Sequence, residues 1–249
     1  MKVKHILTAA AAILLAAALA VGCLVFYDLV KTRQVMVNPW FISARDTQGV
    51  DISEYQAEVD MDALHAQGIR FAYIRATEGS SGVDERFSVN WESAGNSGLV
   101  RGAYHFFSFD SPGETQARNY IETVGDLTGC LIPAIDVAYY GDKEQNPPDR
   151  EDVVRELGVM LRLLEEEYGV KPMIYASGRL YETCIRGAFD GYPRWVRSVF
   201  YPVLFEAGGS WLVWQYSDRG ELEGYSGGER FIDLNIVNRK HGLEALSVQ

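Results

Sequence analysis

The sequence is poor in the residues that most often announce chemistry on their own. Its 249 residues include three cysteines and four histidines. His5, His65, His105 and His241 show no metal-ligand spacing, and no His-Glu-x-x-His occurs, so nothing points to a zinc hydrolase or to any cofactor. Cys130 and Cys184 lie in apolar contexts beyond the first 30 residues; two thiols make no disulfide framework and read as buried. A Gly-x-Ser-x-Gly elbow, a phosphate-binding loop and a Gly-x-Gly-x-x-Gly after a strand are all missing, which sets aside the commonest esterases, nucleotidases and dehydrogenases. Positive charge is scarce as well: 23 Lys+Arg stand against 34 Asp+Glu, a net charge of −11. Residues 1–48 carry +3 of that total, leaving −14 on the remainder. So acidic a domain repels phosphate backbones, and nucleic acid is excluded as a leading partner.

What the chain does have, first, is a long apolar run. Lys2 and Lys4 precede an almost unbroken stretch from Ile6 to Tyr27. As a helix those residues reach about 33 Å, enough to cross a bilayer core. A cleaved signal peptide has a shorter apolar stretch, so an uncleaved anchor over residues 1–30 is expected, its lysines cytoplasmic and the rest outside. Secretion, or a lipid anchor at Cys23 after Ala-Leu-Ala-Val-Gly, is the alternative. A polar spacer over residues 31–48 follows; fully extended, it spans at most roughly 70 Å. A tail is expected over residues 241–249.

Between these flanks the pattern alternates. Short strands are expected at Gly49–Ile52, Arg70–Ala76, Val100–Phe107, Leu131–Val137 and Pro172–Ala176. Helices at Met61–Gln67, Phe87–Asn96, Pro112–Val124, Arg150–Tyr168 and Leu180–Ile185 separate or follow them. The clearest helix repeats Val153, Leu157, Leu161, Leu164 and Tyr168 on one face, with Asp149 as its N-cap. Three more strands, Trp195–Phe200, Trp211–Tyr216 and Ile232–Val237, come with little helix between them. Five βα units and three strands predict one α/β domain over residues 49–240, a TIM-like barrel preceded by a transmembrane helix. Such barrels carry their sites at the carboxyl ends of the strands.

Acids gather at those ends. Asp51 lies in the first strand, Glu78 follows the second, Asp136 lies in the fourth and Asp233 starts the eighth. Tyr104, Tyr175, Trp214 and Tyr216 are expected beside them. Carboxylates among aromatic faces suit sugar chemistry: proton transfer at the glycosidic oxygen and flat surfaces for pyranose rings.

The same residues resemble a known family. Gly49-Val-Asp-Ile-Ser53, Phe71-Ala-Tyr-Ile-Arg-Ala-Thr-Glu78, Gly102-Ala-Tyr-His-Phe-Phe107, Ile135-Asp-Val-Ala138, Met173-Ile-Tyr175, Trp214-Gln-Tyr216 and Ile232-Asp-Leu-Asn235 resemble, in order and spacing, the lysozymes of glycoside hydrolase family 25. The resemblance runs from about Gly49 to Asn238. It implies a barrel of five βα units plus three strands, no metal or cofactor, and cleavage of the β-1,4 bond between N-acetylmuramic acid and N-acetylglucosamine in peptidoglycan. It also implies roles. Asp136 would stabilise an oxocarbenium-like transition state or orient the substrate's N-acetyl group. Asp51 and Asp233 would set the pocket's charge, one of the three acids holding a proton at neutral pH. Tyr104, Tyr175 and Gln215 would bind sugar, with Glu78 and Tyr216 beside them, and Arg197 would meet a lactyl carboxylate.

One position departs from the family. Its catalytic core resembles Asp-x-Glu at the end of the fourth strand, where period-2 alternation points both carboxylates into the mouth about 6.5–7 Å apart. By that resemblance the Glu is the general acid. This chain has Asp136-Val137-Ala138, and a methyl group transfers no proton. Three accounts follow: catalysis is lost and glycan is only bound; Asp142 or Glu144 from the following loop takes over; or Ala138 is a substitution placed in an active parent. No wall-binding repeat follows Asn238, so localisation at the outer face of a bacterial membrane is expected to rest on the tether. Peptidoglycan strands and the membrane are the expected partners.

Overall fold

The computed structural model describes residues 2–207 and 210–249. Its first element, helix α1 (Lys2–Lys31), contains a segment, His5–Lys31, long and apolar enough to cross a membrane. The side chains of Lys2 and Lys4, the expected cytoplasmic flank, lie outside the described residues.

The remainder is a closed eight-stranded barrel. Its strands are β1 (Gln48–Ile52), β2 (Ile69–Glu78), β4 (Val100–Phe106), β5 (Ala134–Val137), β6 (Met173–Ser177), β7 (Arg194–Arg197), β8 (Val213–Gly220) and β9 (Ile232–Val237), while the two-residue β3 (Gly82–Val83) hangs antiparallel on β2. Neighbours run β1-β9-β8-β7-β6-β5-β4-β2, and β2 pairs with β1 to close the ring. All pairs are parallel except those of β9, which runs against both β8 and β1. That reversal matters for the site: the start of β9, not its end, lies at the mouth where the other strands finish.

Helices α2 (Met61–Ala66), α3 (Phe87–Asn96), α4 (Gly113–Val124) and α5 (Arg150–Tyr168) cover the first half of the barrel. Local chemistry sets their ends. Asp60 accepts a hydrogen bond from the Ala63 amide, and Asp149 accepts from the amides of Glu151 and Asp152. Gly169 closes α5 with φ +69°, a left-handed turn that glycine takes at no steric cost. On α5 the expected stripe of Val153, Leu157, Leu161 and Leu164 is buried together with Met160. Each such side chain contributes about 1.5–3 kcal/mol on leaving water. Helix α4 approaches α5 so closely that a Cβ on Gly113 would lie 1.9 Å from the Glu156 carbonyl oxygen.

The later strands differ in detail from expectation. The fourth barrel strand begins at Ala134, not Leu131, because Pro133 has no amide for the ladder. The seventh covers Val213–Gly220 instead of Trp211–Tyr216, and the sixth stops at Arg197 instead of Phe200.

Among the described residues, no long helix covers the outer face of β7–β9. A second apolar cluster, Val196, Val203, Trp214, Tyr216 and Ile236, needs another cover, and Ile42 from the spacer packs on it. The spacer is therefore a strap, not an extended tether. The buried Asn38 amide donates to the Ser198 carbonyl at 2.7 Å and to the Tyr216 carbonyl at 2.9 Å. Nearer the barrel, Arg239 pairs with Asp46.

Candidate active site

Period-2 alternation turns one face of every strand into the barrel. In β2 that face carries Tyr73 and Arg75, in β4 Tyr104, in β5 Asp136, in β6 Tyr175, in β7 Trp195 and Arg197, in β8 Gln215, and in β9 Asp233 and Asn235. Cross-strand register brings Asp51 opposite Asp233 and places Asp136 beside Tyr175. Asp51, Tyr104, Asp136, Tyr175 and Asp233 line one cleft of about 350 Å³, with Arg75, Tyr55, Phe106, Asp218 and Phe231 at its walls.

Asp51 sits in a fixed hydrogen-bond frame. Asn235 Nδ2 donates to its Oδ1 at 2.6 Å, and Gln215 Nε2 donates to both oxygens at 3.1 and 3.2 Å. Each donor is aimed from behind: Trp195 Nε1 donates to Asn235 Oδ1 at 2.8 Å, and the Tyr175 hydroxyl donates to Gln215 Oε1 at 3.0 Å. Asp233 completes the set by sharing a hydrogen bond with Asp51. Burial, then the charge and hydrogen bond of Asp51, push the Asp233 carboxyl up to about 9. At neutral pH it is the protonated partner of the pair. Burial raises Asp51 too, against the opposing pull of its three hydrogen-bonding partners.

Asp136 is different. Burial and the charge of Asp51 push its carboxyl up to about 8, and its Oδ1 is buried with no hydrogen-bond partner among the described residues. A polar atom left this way inside a cleft is available to a ligand. Burial, joined at Asp136 and Asp233 by repulsion from Asp51, thus raises all three acids above the usual carboxylate value, the direction expected of like charges gathered in one cleft. Ala138 follows two residues later, just past β5, half-buried. The chain beyond it is held: Tyr140 stacks on Phe109 and donates to Asp110 at 2.8 Å, and Lys143 pairs with Asp110 at 2.6 Å. Asp142 accepts from Asn146 at 2.9 Å and Glu144 pairs with Arg179 at 3.2 Å, so both loop acids are exposed and engaged away from the cleft.

Other expected residues fall elsewhere. Trp214 and Tyr216 flank Gln215 on the strand and so face outward; their polar atoms reach Ser198 and Gln48. Gln215 faces inward but is buried beneath Tyr175, where it positions Asp51 and offers no open surface to sugar. Glu78 is exposed and lines an adjoining depression of about 290 Å³ with Arg75, Asp84 and Ser108. Arg197 pairs with Asp218 at 2.9 Å on the cleft wall. Arg75 and Asn235 were missed as site residues. Arg75 is a nearly buried cation fixed by Asp84 at 2.8 Å and Glu54 at 2.7 Å. The available signal was an arginine in the middle of an apolar strand, two residues from Tyr73. His105 is also buried, pushed down to about 4, and bonded to Thr77 and Gln116 away from the cleft.

The profile of glycosyl hydrolases family 25 matches residues 50–225. A family 25 glycosyl hydrolase of known structure from Bacillus anthracis is 42% identical, with a TM-score of 0.76 over 84% of this chain and 96% of that one. The uncharacterized protein YegX of Escherichia coli strain K12 is 34% identical over 76% of this chain and 69% of its own length. An N,O-diacetylmuramidase of Chalaropsis is 29% identical over 78% of this chain and 97% of its own.

Proposed function

The chain belongs to the glycosyl hydrolases of family 25, and on that premise we propose that it is a membrane-tethered muramidase whose hydrolysis is crippled at Ala138. Its substrate is peptidoglycan, entered at the bond between N-acetylmuramic acid and N-acetylglucosamine. One observation carries this reading: the free Oδ1 of Asp136 and the Tyr104 and Tyr175 faces remain assembled around Asp51, while the position two residues after Asp136 holds a methyl group.

A positioned general acid contributes roughly 10²–10⁴-fold, or about 3–5 kcal/mol of barrier. A sugar alkoxide is a poor leaving group, so its loss falls at the upper end. The loop acids do not restore it, since Asp142 and Glu144 already have partners at the surface. Binding asks less. Aromatic faces and an unpartnered carboxyl recognise sugar whether or not a proton is transferred, so the cleft retains its ligand. Helix α1 supports the tether, and the cleft then faces the wall layer nearest the membrane.

The test is sedimentation of the full chain, held in detergent, with purified insoluble peptidoglycan. Saturable binding is expected. Tyr175→Ala should weaken it by roughly 5–10-fold, the worth of about 1–1.5 kcal/mol for one aromatic contact. Binding unaltered by Tyr175→Ala would place the ligand outside this cleft.

A further inference from the structure

Beyond the cleft, the most unusual surface lies where the strap meets the barrel. Phe200, Tyr201, Leu204 and Phe205 are 40, 47, 69 and 80% exposed within six residues. Elsewhere on the barrel Tyr55, Val83 and Val89 are exposed singly, as is ordinary for a soluble surface. A contiguous apolar patch of this kind marks a contact.

Its neighbours identify the partner. Phe26, Tyr27, Val30 and Val37 line one apolar cavity of about 490 Å³ together with Phe200 and Tyr201. Arg33 fixes the arrangement: it donates to the Val199 carbonyl at 3.1 Å, lies 4.4 Å over the Phe200 ring and pairs with Asp218. Tyr27 ends the run that begins at Ile6, about 33 Å away along the helix, which puts it at the boundary of the hydrocarbon. With α1 as the anchor, Phe200 and Tyr201, which share that cavity with Tyr27, would lie at the depth of that boundary, where aromatic side chains are favoured. The single acid of the segment, Glu206, turns inward to Ser198 and the Gly178 amide, so no carboxylate is presented outward.

We infer that Val199–Ala207 is a second membrane contact, in which Phe200, Tyr201, Leu204 and Phe205 enter the lipid interface beside the anchor and hold the rim of the cleft against the bilayer. The inference rests on the reading of α1 as an anchor. It carries orientation as well as attachment. Arg197, at the end of β7, lies three residues before Phe200, at most about 10 Å along the chain. Asp218, on the cleft wall, binds both Arg197 and Arg33. A rigid path therefore joins lipid, strap and cleft, and the cleft addresses strands at the membrane surface.

The full chain, reconstituted in phosphatidylcholine vesicles, tests this. An environment-sensitive fluorophore is attached at native Cys23, or, in a Cys23→Ala background, at Phe205→Cys or Val89→Cys. Cys130 and Cys184 are buried, and Phe205 and Val89 are exposed, so labelling is selective and the fold is kept. Phosphatidylcholine carrying a nitroxide high on its acyl chain is the quencher. The label at Phe205→Cys should lose most of its emission while that at Val89→Cys keeps its own. Equal, weak quenching at both, with Cys23 strongly quenched, would overturn the second contact and leave the anchor standing. Quenching at neither Phe205→Cys nor Cys23 would overturn both. Quenching at Phe205→Cys but not at Cys23 would support the patch and remove the anchor.

Discussion

Asp51, Asp136 and Asp233 are not interchangeable acids. Asp51 is held by amides from Asn235 and Gln215, Asp233 shares a proton with it, and Asp136 keeps an oxygen free. Their protonation has a thermodynamic signature. Both Asp136 and Asp233 are raised from 3.8, to about 8 and about 9. Between these limits the folded chain holds protons that the unfolded chain has released, so stability falls as pH rises and levels off above the folded values. Asp233→Asn keeps a donor toward Asp51 but cannot titrate. It should flatten that decline and stabilise the protein at pH 8 by on the order of 1–3 kcal/mol, with little effect near pH 3. Urea unfolding across this range reads it directly, and an unchanged slope would mean that Asp233 is not the protonated partner. At this scale the sequence was partly legible. Period-2 spacing paired Asp136 with Ala138, but it could not say which of Trp214, Gln215 and Tyr216 faced inward, because apolar cover on the outside of β8 comes from a distant segment. Asn235 was likewise hidden: its role appears only when β9 lies antiparallel to β1.

Helices and strands were read well where local chemistry decides them. Asp149 and Gly169 bound α5, and its stripe is buried as spaced. The strap was not legible, since a polar segment after an apolar run carries no periodicity. Its placement follows from a deficit elsewhere. Among the described residues no long helix covers strands β7–β9, so Trp214, Tyr216 and Ile236 need the strap and the segment around Val203. Asn38 is its buried pin. Asn38→Ala would strip donors from two buried carbonyls, those of Ser198 and Tyr216, and should destabilise the chain by about 1–3 kcal/mol. It should also release the strap to proteolysis near residues 32–47 before the barrel unfolds. Resistance there equal to that of the unsubstituted chain would show that the strap is held by other contacts.

The whole molecule combines an acidic barrel, an apolar helix and an acid-lined cleft with Ala138 two residues beyond Asp136. Charge argued against nucleic acid as a leading partner, and the alternation of strands and helices led to the closed barrel. Seven short motifs led to the family, and the profile match bears that out. Relative placement of helix and barrel was beyond reach, because it depends on Arg33, Asn38 and Asp46 meeting partners more than 150 residues away. On the function proposed above, a single methyl group at Ala138 silences an otherwise assembled muramidase. That reading is tested most directly by release of reducing ends from purified peptidoglycan, comparing the full chain with its Ala138→Glu variant at equal concentration. Ala138→Glu should raise turnover by roughly 10²–10⁴-fold or more over a nearly silent chain. Equal turnover by both would contradict it, and the free oxygen of Asp136 would then be the first place to look for the proton.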